Sequence, residues 1–573
     1  MNPQQPIFTE KAHCQDCYRC LRGCPVKAIK IEEGSASVVD ELCIHCGSCV
    51  NTCPGGAKRV RDDRTRVREL LASGKRVIAS LAPSYVAEFR DRDPATIIAA
   101  LRRRGFYGVS ETALGAEEVS AHVADLIDNR EPGLWISSAC PVVVRYIRNY
   151  RPALARSLTP FLSPLLAHCK LLKREFGRDT YVVFYGPCIA KKDEAYEHPD
   201  LLEAALTFED LRELIDAAAI DGGAVSPAER FIPHAAEEGA LYPIDGGMVA
   251  SLRKQCPVCD HRTQHFSGLE EICAILDCIE KERPDRPLFL ELLSCSGGCI
   301  NGPRTRKEGG TLVRRLGVLE RSVIDGAEIP RPVSIDIPAA YHSRELSAPI
   351  FSEEEIGSVL AKTGKLSRGD ELNCGGCGYG NCRDFAQAVL SGKAETAMCV
   401  SYLRKLATKK ANKLIMTMPS GVVIVDKNLR IIECNARFAA LAGKDAVTIY
   451  KQRPGMGGAV LEKILPVSNL FRHIIEADDD ILDRDLHLGT RVIHCSIFSI
   501  EPGTIAGGVF NDVTAPELQR EEVIDRVQNV IRNNLTTVQK IAYLLGENAS
   551  ETEMLLSTII ESFKPLQPGD DDV

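Results

Sequence analysis

Three features are scarce in this chain, and each scarcity removes a class of function. Basic charge is not in excess: 70 Lys and Arg against 78 Asp and Glu leave a net charge of −8, so no positive field draws the chain to nucleic acid. The densest basic run, Arg59, Arg61, Arg64, Arg66 and Arg68, is interrupted by Asp62 and Asp63 and reads as a solvated linker or helix face. Long apolar runs are missing too. No stretch of about 18 apolar residues is present, so membrane insertion is not expected. Residues 1–10 lack the basic and apolar regions of a secretory signal, which points to the cytoplasm. At 573 residues the chain exceeds the size one core can fill, and about three to five compact units are expected.

Cysteine, by contrast, is abundant, with 23 residues. A disulfide framework belongs to short secreted chains, whereas a long chain without a signal that groups its thiols is better read as binding metal. Residues 1–60 contain two similar runs, Cys14-x2-Cys17-x2-Cys20-x3-Cys24-Pro25 and Cys43-x2-Cys46-x2-Cys49-x3-Cys53-Pro54. This is the two-cluster ferredoxin pattern, in which three close thiolates wrap one cubane and the fourth crosses to the other. Cys14, Cys17, Cys20 and Cys53 are expected to hold one 4Fe-4S cluster, and Cys43, Cys46, Cys49 and Cys24 the second. A zinc module is the alternative.

From residue 77 to about 335, apolar runs at Val77, Leu134, Val182 and Leu288 alternate with helix-like segments such as 95–103 and 211–219. The pattern predicts α/β with largely buried strands. Three of these four strands end at a cysteine motif, and open α/β sheets place their sites at the carboxyl ends of strands.

Those motifs are Ser137-Ser-Ala139-Cys140-Pro141, Gly186-Pro-Cys188-Ile-Ala-Lys191-Lys-Asp-Glu194 and Glu291-Leu-Leu-Ser-Cys295-Ser-Gly-Gly-Cys299. Together and in this order they resemble the signature motifs of FeFe hydrogenases, and Ala82-Pro83-Ser84 resembles the segment lining that family's diiron site. The resemblance implies an H-cluster. Cys140, Cys188, Cys295 and Cys299 would hold its cubane, and Cys299 would also bridge to a diiron unit carrying CO, cyanide and a dithiolate. It further implies that Lys191 donates to a cyanide, a charge-assisted bond worth about 1.5–3 kcal/mol. Hydrogen and protons, a redox partner such as ferredoxin, and hydrogenase maturation proteins are the implied partners.

The departures matter as much as the matches. The family's first motif has a cysteine before the ligand, and its thiol relays protons; here that place is Ala139, and a methyl group carries no proton. Counting back from this motif puts the family's relay carboxylates near Val119 and His122, while Glu194 is retained. Methionines that line the family's site correspond to Gly186 and Leu293. These substitutions resemble the sensory branch of the family.

Asn373-Cys374-Gly-Gly-Cys377-Gly-Tyr-Gly-Asn-Cys382, followed by Cys399, resembles a small 4Fe-4S domain, with Cys399 closing the site from a helix. Zinc is again the alternative. Residues 418–514 resemble a PAS domain through Pro419-Ser-Gly-Val-Val-Ile-Val-Asp, Asn435 and Gly508-Val-Phe-Asn-Asp-Val-Thr514. Cys434 and Cys495 are expected to be packed strand residues. Ile524, Val527, Ile531, Asn534, Val538, Ile541 and Leu545 form a stripe with the spacing of a coiled coil or of a helix packed on a sheet. A further helix opening at Ser550 with Glu553 fits a capping box. Cys256, Cys259, His261 and His265 suit zinc by type but are cramped in spacing. Cys169, Cys273 and Cys278 read as core or surface thiols, and His168 as a neighbour of the site.

The expected fold class is multidomain: a ferredoxin-like α+β cluster domain (1–60), an α/β FeFe-hydrogenase-like domain (75–340), a linker (341–370), a small 4Fe-4S domain (371–403), an α+β PAS domain (413–515), C-terminal helices (516–565) and a polar tail (566–573). The cofactors expected are two 4Fe-4S clusters in the first domain, one H-cluster and one further 4Fe-4S cluster at Cys374–Cys399. The site residues are Cys299, Lys191, Ser84, Pro83, Glu194 and Ala139. The expected function is a low-turnover, hydrogen-sensing hydrogenase signalling through its PAS domain to a downstream partner, with a homodimer built on the helical stripe. Two rivals are a catalytic hydrogenase working in hydrogen uptake or evolution by a replacement proton path, and a non-catalytic iron-sulfur electron-transfer or assembly protein.

Overall fold

The two cysteine runs fold into the same backbone twice. Left-handed residues recur at matched places: Asp16 (φ 48°) with His45 (54°), Tyr18 (56°) with Gly47 (79°), and Lys27 (51°) with Gly56 (61°). A non-glycine residue in this region costs about 1–2 kcal/mol, so four such residues in two short loops mark a backbone shaped for a purpose other than its own stability. That purpose is visible in the sulfurs. The Ala28 N–H donates to Cys24 Sγ at 3.2 Å, and the Ala57 N–H donates to Cys53 Sγ at 3.2 Å. Short helices Arg19–Arg22 and Ser48–Thr52 carry the third cysteine of each run. Antiparallel pairs, Ile7–Thr9 with Lys58–Val60 and Ile29–Glu32 with Ser35–Val38, close the lobe.

In this computed structural model the described residues are 5–129, 133–220, 229–255, 262–282, 287–322, 331–344, 346, 349–477, 481–514 and 523–533. The chain divides into two units, Met1–Tyr402 and Leu403–Val573. In the first, the central region forms two parallel sheets rather than one. Val77–Leu81 lies between Gly108–Glu111 and Tyr181–Gly186, with Ala204–Thr207 outermost. Leu288–Leu293 lies between Leu134–Ile136 and Thr263–Ser267. Val77–Leu81 is buried at every position, as a strand covered by helices on both faces must be. The arginine run is a helix face: Arg64–Ala72 is helical, and Arg64 and Arg66 pair with Asp62, Asp210, Glu213 and Glu203.

The 341–370 segment contains the helix Glu353–Lys362, opened by a capping box of Ser352 and Glu355. It is more than a connector. Ile356, Val359 and Leu360 form one apolar face that packs on Ala386 of the helix Cys382–Leu390, so the small cysteine module draws part of its core from this segment. Cys399 stands at the turn after Thr396–Met398, just before the helix Val400–Thr417; it precedes that helix instead of sitting in it. The module also shares a core with the ferredoxin-like lobe, because Tyr379, Phe385 and Met398 pack with Leu21, Ile29 and Ile31.

The second unit is a five-stranded antiparallel sheet in the order Ile431–Cys434, Gly421–Asp426, Ile505–Asp512, Arg491–Glu501 and Ile481–Leu488. Phe438, Phe471 and Phe510 fill its core. Asn435 is fully buried yet satisfied. Its Oδ1 accepts from the N–H groups of Val422 and Phe438, and its Nδ2 donates to the carbonyls of Ile415 and Ser420. Cys434 and Cys495 are buried strand residues, as expected. Residues 523–533 are helical and carry Ile524, Val527 and Ile531. Asn534, Val538, Ile541, Leu545, Ser550, Glu553 and the tail lie outside the described residues, as do Cys256, Cys259 and His261. Among the described residues no helix is long and apolar enough to cross a membrane.

One glycine joins the lobe to the central region. A Cβ on Gly47, next to Cys46, would stand 2.5 Å from Pro303 Cβ and 2.9 Å from Ile189 Cδ1. Gly47→Ala, at a φ of 79°, is therefore expected to destabilise the first unit by about 1–3 kcal/mol, measured as an earlier unfolding transition of the cluster-loaded protein.

Candidate active site

The carboxyl ends of both parallel sheets open onto one cavity. Val77–Leu81 delivers Ala82, Pro83 and Ser84, Leu134–Ile136 leads to Ala139 and Cys140, Tyr181–Gly186 leads to Cys188 and Lys191, and Leu288–Leu293 leads to Cys295 and Cys299. All four thiols lie within electrostatic reach of one another. Burial pushes the Cys188 thiol up to about 12 and raises those of Cys295 and Cys299 as well. Thiols in this state ionise only against a cation, which an iron cluster supplies. Among the described residues no three His, Cys, Asp or Glu side chains close to the spacing of a single ion; a cubane asks for sulfurs further apart than one ion does.

An orphaned atom at the cavity adds to the fit. Ser84 Oγ is buried without a partner, and Ser84 lines the cavity, so a bound group there would give the hydroxyl its missing hydrogen bond. The Lys191 ammonium is held at the wall: it donates to both Glu194 oxygens at 2.8 Å and to Ser163 Oγ at 3.2 Å, and Ser163 Oγ in turn donates to Glu194 Oε2 at 2.9 Å. Lys191 and Glu194 are each 8% exposed, so this is a buried ion pair. A cubane with a diiron extension therefore fits the donor set, the orphaned hydroxyl and the cation.

The proton-relay positions look different. Ala139 lines the cavity and its N–H donates to Ser137 Oγ at 3.2 Å. Val119 is buried in the aliphatic core on the helix Ala113–Asn129. His122 Nε2 donates to the Ile335 carbonyl at 2.7 Å, and the ring packs on Phe161. None of the three connects the cavity to solvent through an acid. Leu293 lines the cavity, whereas Gly186 lies behind it: a Cβ there would meet the Phe184 ring at 2.3 Å. Phe184 therefore occupies the space beside Gly186.

Glu291, within electrostatic reach of Cys299, is a residue that sequence reading passed over, although a carboxylate in the middle of the run Leu288-Phe-Leu-Glu-Leu-Leu was the available signal. Its Oε2 accepts from the Val249 N–H at 3.0 Å, its Oε1 has no partner, and it interacts with the Cys299 thiol. Burial raises its pKa to about 8 against three opposing backbone N–H donors. A carboxyl raised by folding contributes stability below its ordinary pKa and loses that contribution as pH climbs through the raised value. Glu291→Gln is expected to gain stability relative to the native chain by about 1.4 kcal/mol for each unit between about pH 5 and pH 8, read from unfolding transitions across that range.

His168 is one step removed from the cavity. Its ring nitrogens meet Ser80 Oγ and Ser110 Oγ at 2.8 Å, and Ser80 Oγ meets Thr112 Oγ1 of the cavity wall at 2.7 Å. Complete burial lowers its pKa to about 3, so the ring is neutral. Cys169 is a buried core thiol, Cys273 is half-buried and Cys278 is exposed. His265 lies on the strand Thr263–Ser267, with Nδ1 3.2 Å from Asp245.

The other cysteine sets lie close by. Cys46 and Cys295 line one polar cleft. Ile189, adjacent to Cys188, packs into the core that holds Cys20, Cys24, Cys43 and Cys49. At the small module a buried ammonium, Lys365 Nζ, donates to Cys399 Sγ at 3.1 Å, and Lys27 lies within electrostatic reach of both Cys24 and Cys377.

Residues 75–303 match the model of the iron only hydrogenase large subunit, C-terminal domain. Residues 6–54 match a 4Fe-4S dicluster domain, 370–401 an Fe-S cluster model and 412–484 a PAS domain. The chain is 24% identical over 368 residues to iron hydrogenase 1 of Clostridium pasteurianum, covering 52% of this chain and 64% of that protein. It is 24% identical over 377 residues to the NADP-reducing hydrogenase subunit HndD of Solidesulfovibrio fructosivorans, with the same two coverages of 52% and 64%. An FeFe hydrogenase structure from Chlamydomonas reinhardtii is similar at a TM-score of 0.35 and 15% identity, covering 49% of this chain and 99% of that one.

Proposed function

We propose that this chain, which belongs to the iron-only hydrogenase large-subunit family through residues 75–303, is a low-turnover hydrogenase that senses hydrogen and reports through its PAS domain. Cys140, Cys188, Cys295 and Cys299 would hold the cubane of an H-cluster, with Cys299 bridging to the diiron unit. When bound, that cofactor supplies heterolytic cleavage of hydrogen. Lys191, fixed by Glu194 and Ser163, would present its ammonium to a cyanide ligand, Ser84 would donate its free hydroxyl, and Pro83 would close the wall. Electrons would leave by way of the Cys43, Cys46, Cys49 and Cys24 set, whose loop touches Ile189 and Pro303 through Gly47. From there they would reach the Cys14, Cys17, Cys20 and Cys53 set or the Cys374, Cys377, Cys382 and Cys399 set. The cofactor count follows: three cubanes and one H-cluster.

The observation that carries this reading is a complete set of expected ligands and a cation at one cavity, with Ala139 on its wall and, at the relay positions expected by counting, Val119 in aliphatic core and His122 bonded to a backbone carbonyl. A sensor needs only occupancy to shift an equilibrium, whereas a fast enzyme needs rapid proton exit. The test is to mature the protein with the diiron cofactor and record infrared bands of CO and cyanide. Their absence would sink both the sensor and the enzyme readings and leave an electron-transfer or assembly protein. A faster enzyme is the second reading, and one observation favours it: Glu291 places a protonatable carboxyl with a free oxygen near Cys299, where a replacement path could start.

A further inference from the structure

A hydroxyl is out of place in a strand buried at every position, yet Val77–Leu81 carries Ser80, and its parallel neighbour Gly108–Glu111 carries Ser110 directly opposite. Both serines are fully buried, and one side chain serves both: His168 of the helix Pro164–Phe176. Its Nδ1 stands 2.8 Å from Ser80 Oγ and its Nε2 2.8 Å from Ser110 Oγ, while Ser80 Oγ lies 2.7 Å from Thr112 Oγ1. The ring is wedged by a second helix, because a Cβ on Gly115 would stand 2.5 Å from the His168 backbone nitrogen and 2.7 Å from its Cβ. Both ring partners are hydroxyls and burial alone lowers its pKa, so one ring nitrogen donates and the other accepts.

Such a chain can run in either direction, and its closed end selects one. Three bonds join Ser110, His168, Ser80 and Thr112, and each of these groups has a single hydrogen to give. Run inward, from Thr112 to Ser110, the chain leaves the Ser110 hydrogen over, and among the described residues Ser110 Oγ has no second partner. A buried donor without an acceptor is what folded chains avoid. Run outward, Ser110 donates to Nε2, Nδ1 donates to Ser80, and Ser80 donates to Thr112. Only the Thr112 hydrogen is then unspent. Thr112 lines the active cavity, as does Ser84 with its unpartnered hydroxyl, and Ala116, Leu165, Phe184 and Leu293 make much of the remaining wall apolar.

We propose that His168 is a positioning residue: through Ser80 it fixes the Thr112 hydroxyl as a donor into the cavity, so that this wall offers two hydroxyl donors to a ligand rich in acceptor atoms. On the hydrogenase reading above, on which this step rests, that ligand is the diiron unit, whose CO and cyanide can accept. Each donor in a chain strengthens the next, so Thr112 donates better than an isolated hydroxyl would.

The direction of the chain is tested on the full protein carrying its iron-sulfur clusters and labelled with 15N at histidine, with His168→Gln identifying the resonances. A protonated Nδ1 and a bare Nε2 are expected. The opposite tautomer, or a ring protonated on both nitrogens at neutral pH, would overturn the proposal whatever the cavity holds. The destination of the Thr112 hydrogen is read from infrared bands of protein matured with the diiron cofactor. Thr112→Val, which keeps the shape and removes the hydroxyl, is expected to displace at least one CO or cyanide band, and Thr112→Ser to hold that band near its native position. Ser80→Ala cuts the chain behind the wall and is expected to displace the same band by less. A merely structural role for these groups would lower stability and leave the band where it is. Bands unmoved by Thr112→Val, or moved equally by Thr112→Ser, refute the proposal. Native protein without such bands refutes the hydrogenase reading, and the ligand named here with it, while the tautomer still decides the direction of the chain.

Discussion

Lys191→Met is expected to cost the first unit about 3–5 kcal/mol, the effect of leaving one buried charge without its partner. In the native chain Glu194 accepts two bonds from Lys191 at 2.8 Å and one from Ser163, and it is 8% exposed. Without the ammonium only the serine remains. The double variant Lys191→Met/Glu194→Gln removes both charges and is expected to recover most of the loss, because replacing a whole buried pair is far milder than breaking it. Unfolding transitions of the cluster-loaded protein decide this: a single variant no less stable than the double one means the pair is not the unit described. A functional consequence accompanies the structural one. In the matured protein the cyanide infrared bands are expected to shift or weaken in both variants, since neither retains the ammonium, so stability and cofactor anchoring separate.

The second large effect concerns protons. Matured wild-type protein is expected to turn over hydrogen about 10²–10⁴-fold more slowly than a relative with an unbroken relay, the range that positioned acid-base groups contribute. The obvious repair, Ala139→Cys, is expected to stay within about tenfold of wild type. A thiol at that cavity wall would have a proton to pass but no receiver at the two counted relay positions, because Val119 is packed in aliphatic core and His122 spends its Nε2 on the Ile335 carbonyl. Hydrogen turnover in wild type and Ala139→Cys is the measurement. Wild-type turnover at the level of ordinary family members would defeat the sensor reading. A hundredfold gain from the single cysteine would show that a receiver exists elsewhere, with Glu291 the first residue to replace.

Much of this site was legible before any coordinates. Four cysteines scattered over 160 residues of sequence were assigned to one centre from their motifs, and the structure brings them to one cavity. The two-strand reading of residues 421–434, the helix near 352–366 and the burial of Cys434 and Cys495 were legible for a simpler reason: each follows from local periodicity. The strands Thr263–Ser267 and Ile481–Leu488 were not legible. Thr263–Ser267 carries Gln264 and His265 at exposed positions of a sheet edge, and Ile481–Leu488 alternates Leu482, Leu486 and Leu488 with Asp483, Arg484 and Asp485, so neither shows an unbroken apolar run.

Glu291 and His45 escaped sequence reading because their character is set by neighbours far along the chain. Glu291 is a single carboxylate among leucines until Val249 and Cys299 surround it. His45 is an ordinary spacer between two cysteines until Asp193 and Arg145 arrive from more than 90 residues away. Ligand chemistry is a matter of residue type and spacing, and spacing is written in the chain. By itself, then, the sequence determined the cysteine spacings that suit clusters, the order of the segments matching cluster, hydrogenase and PAS models, and the alanine that stands before Cys140. Charge state and coupling depend on burial and on which groups face each other, and those exist only after folding. The tertiary structure alone decided that Lys191 is locked to Glu194, that the segment around residues 352–366 belongs to the small cysteine module's core, and that one ferredoxin-like cluster loop carries a histidine buried between Asp40 and Asp193 while its twin does not.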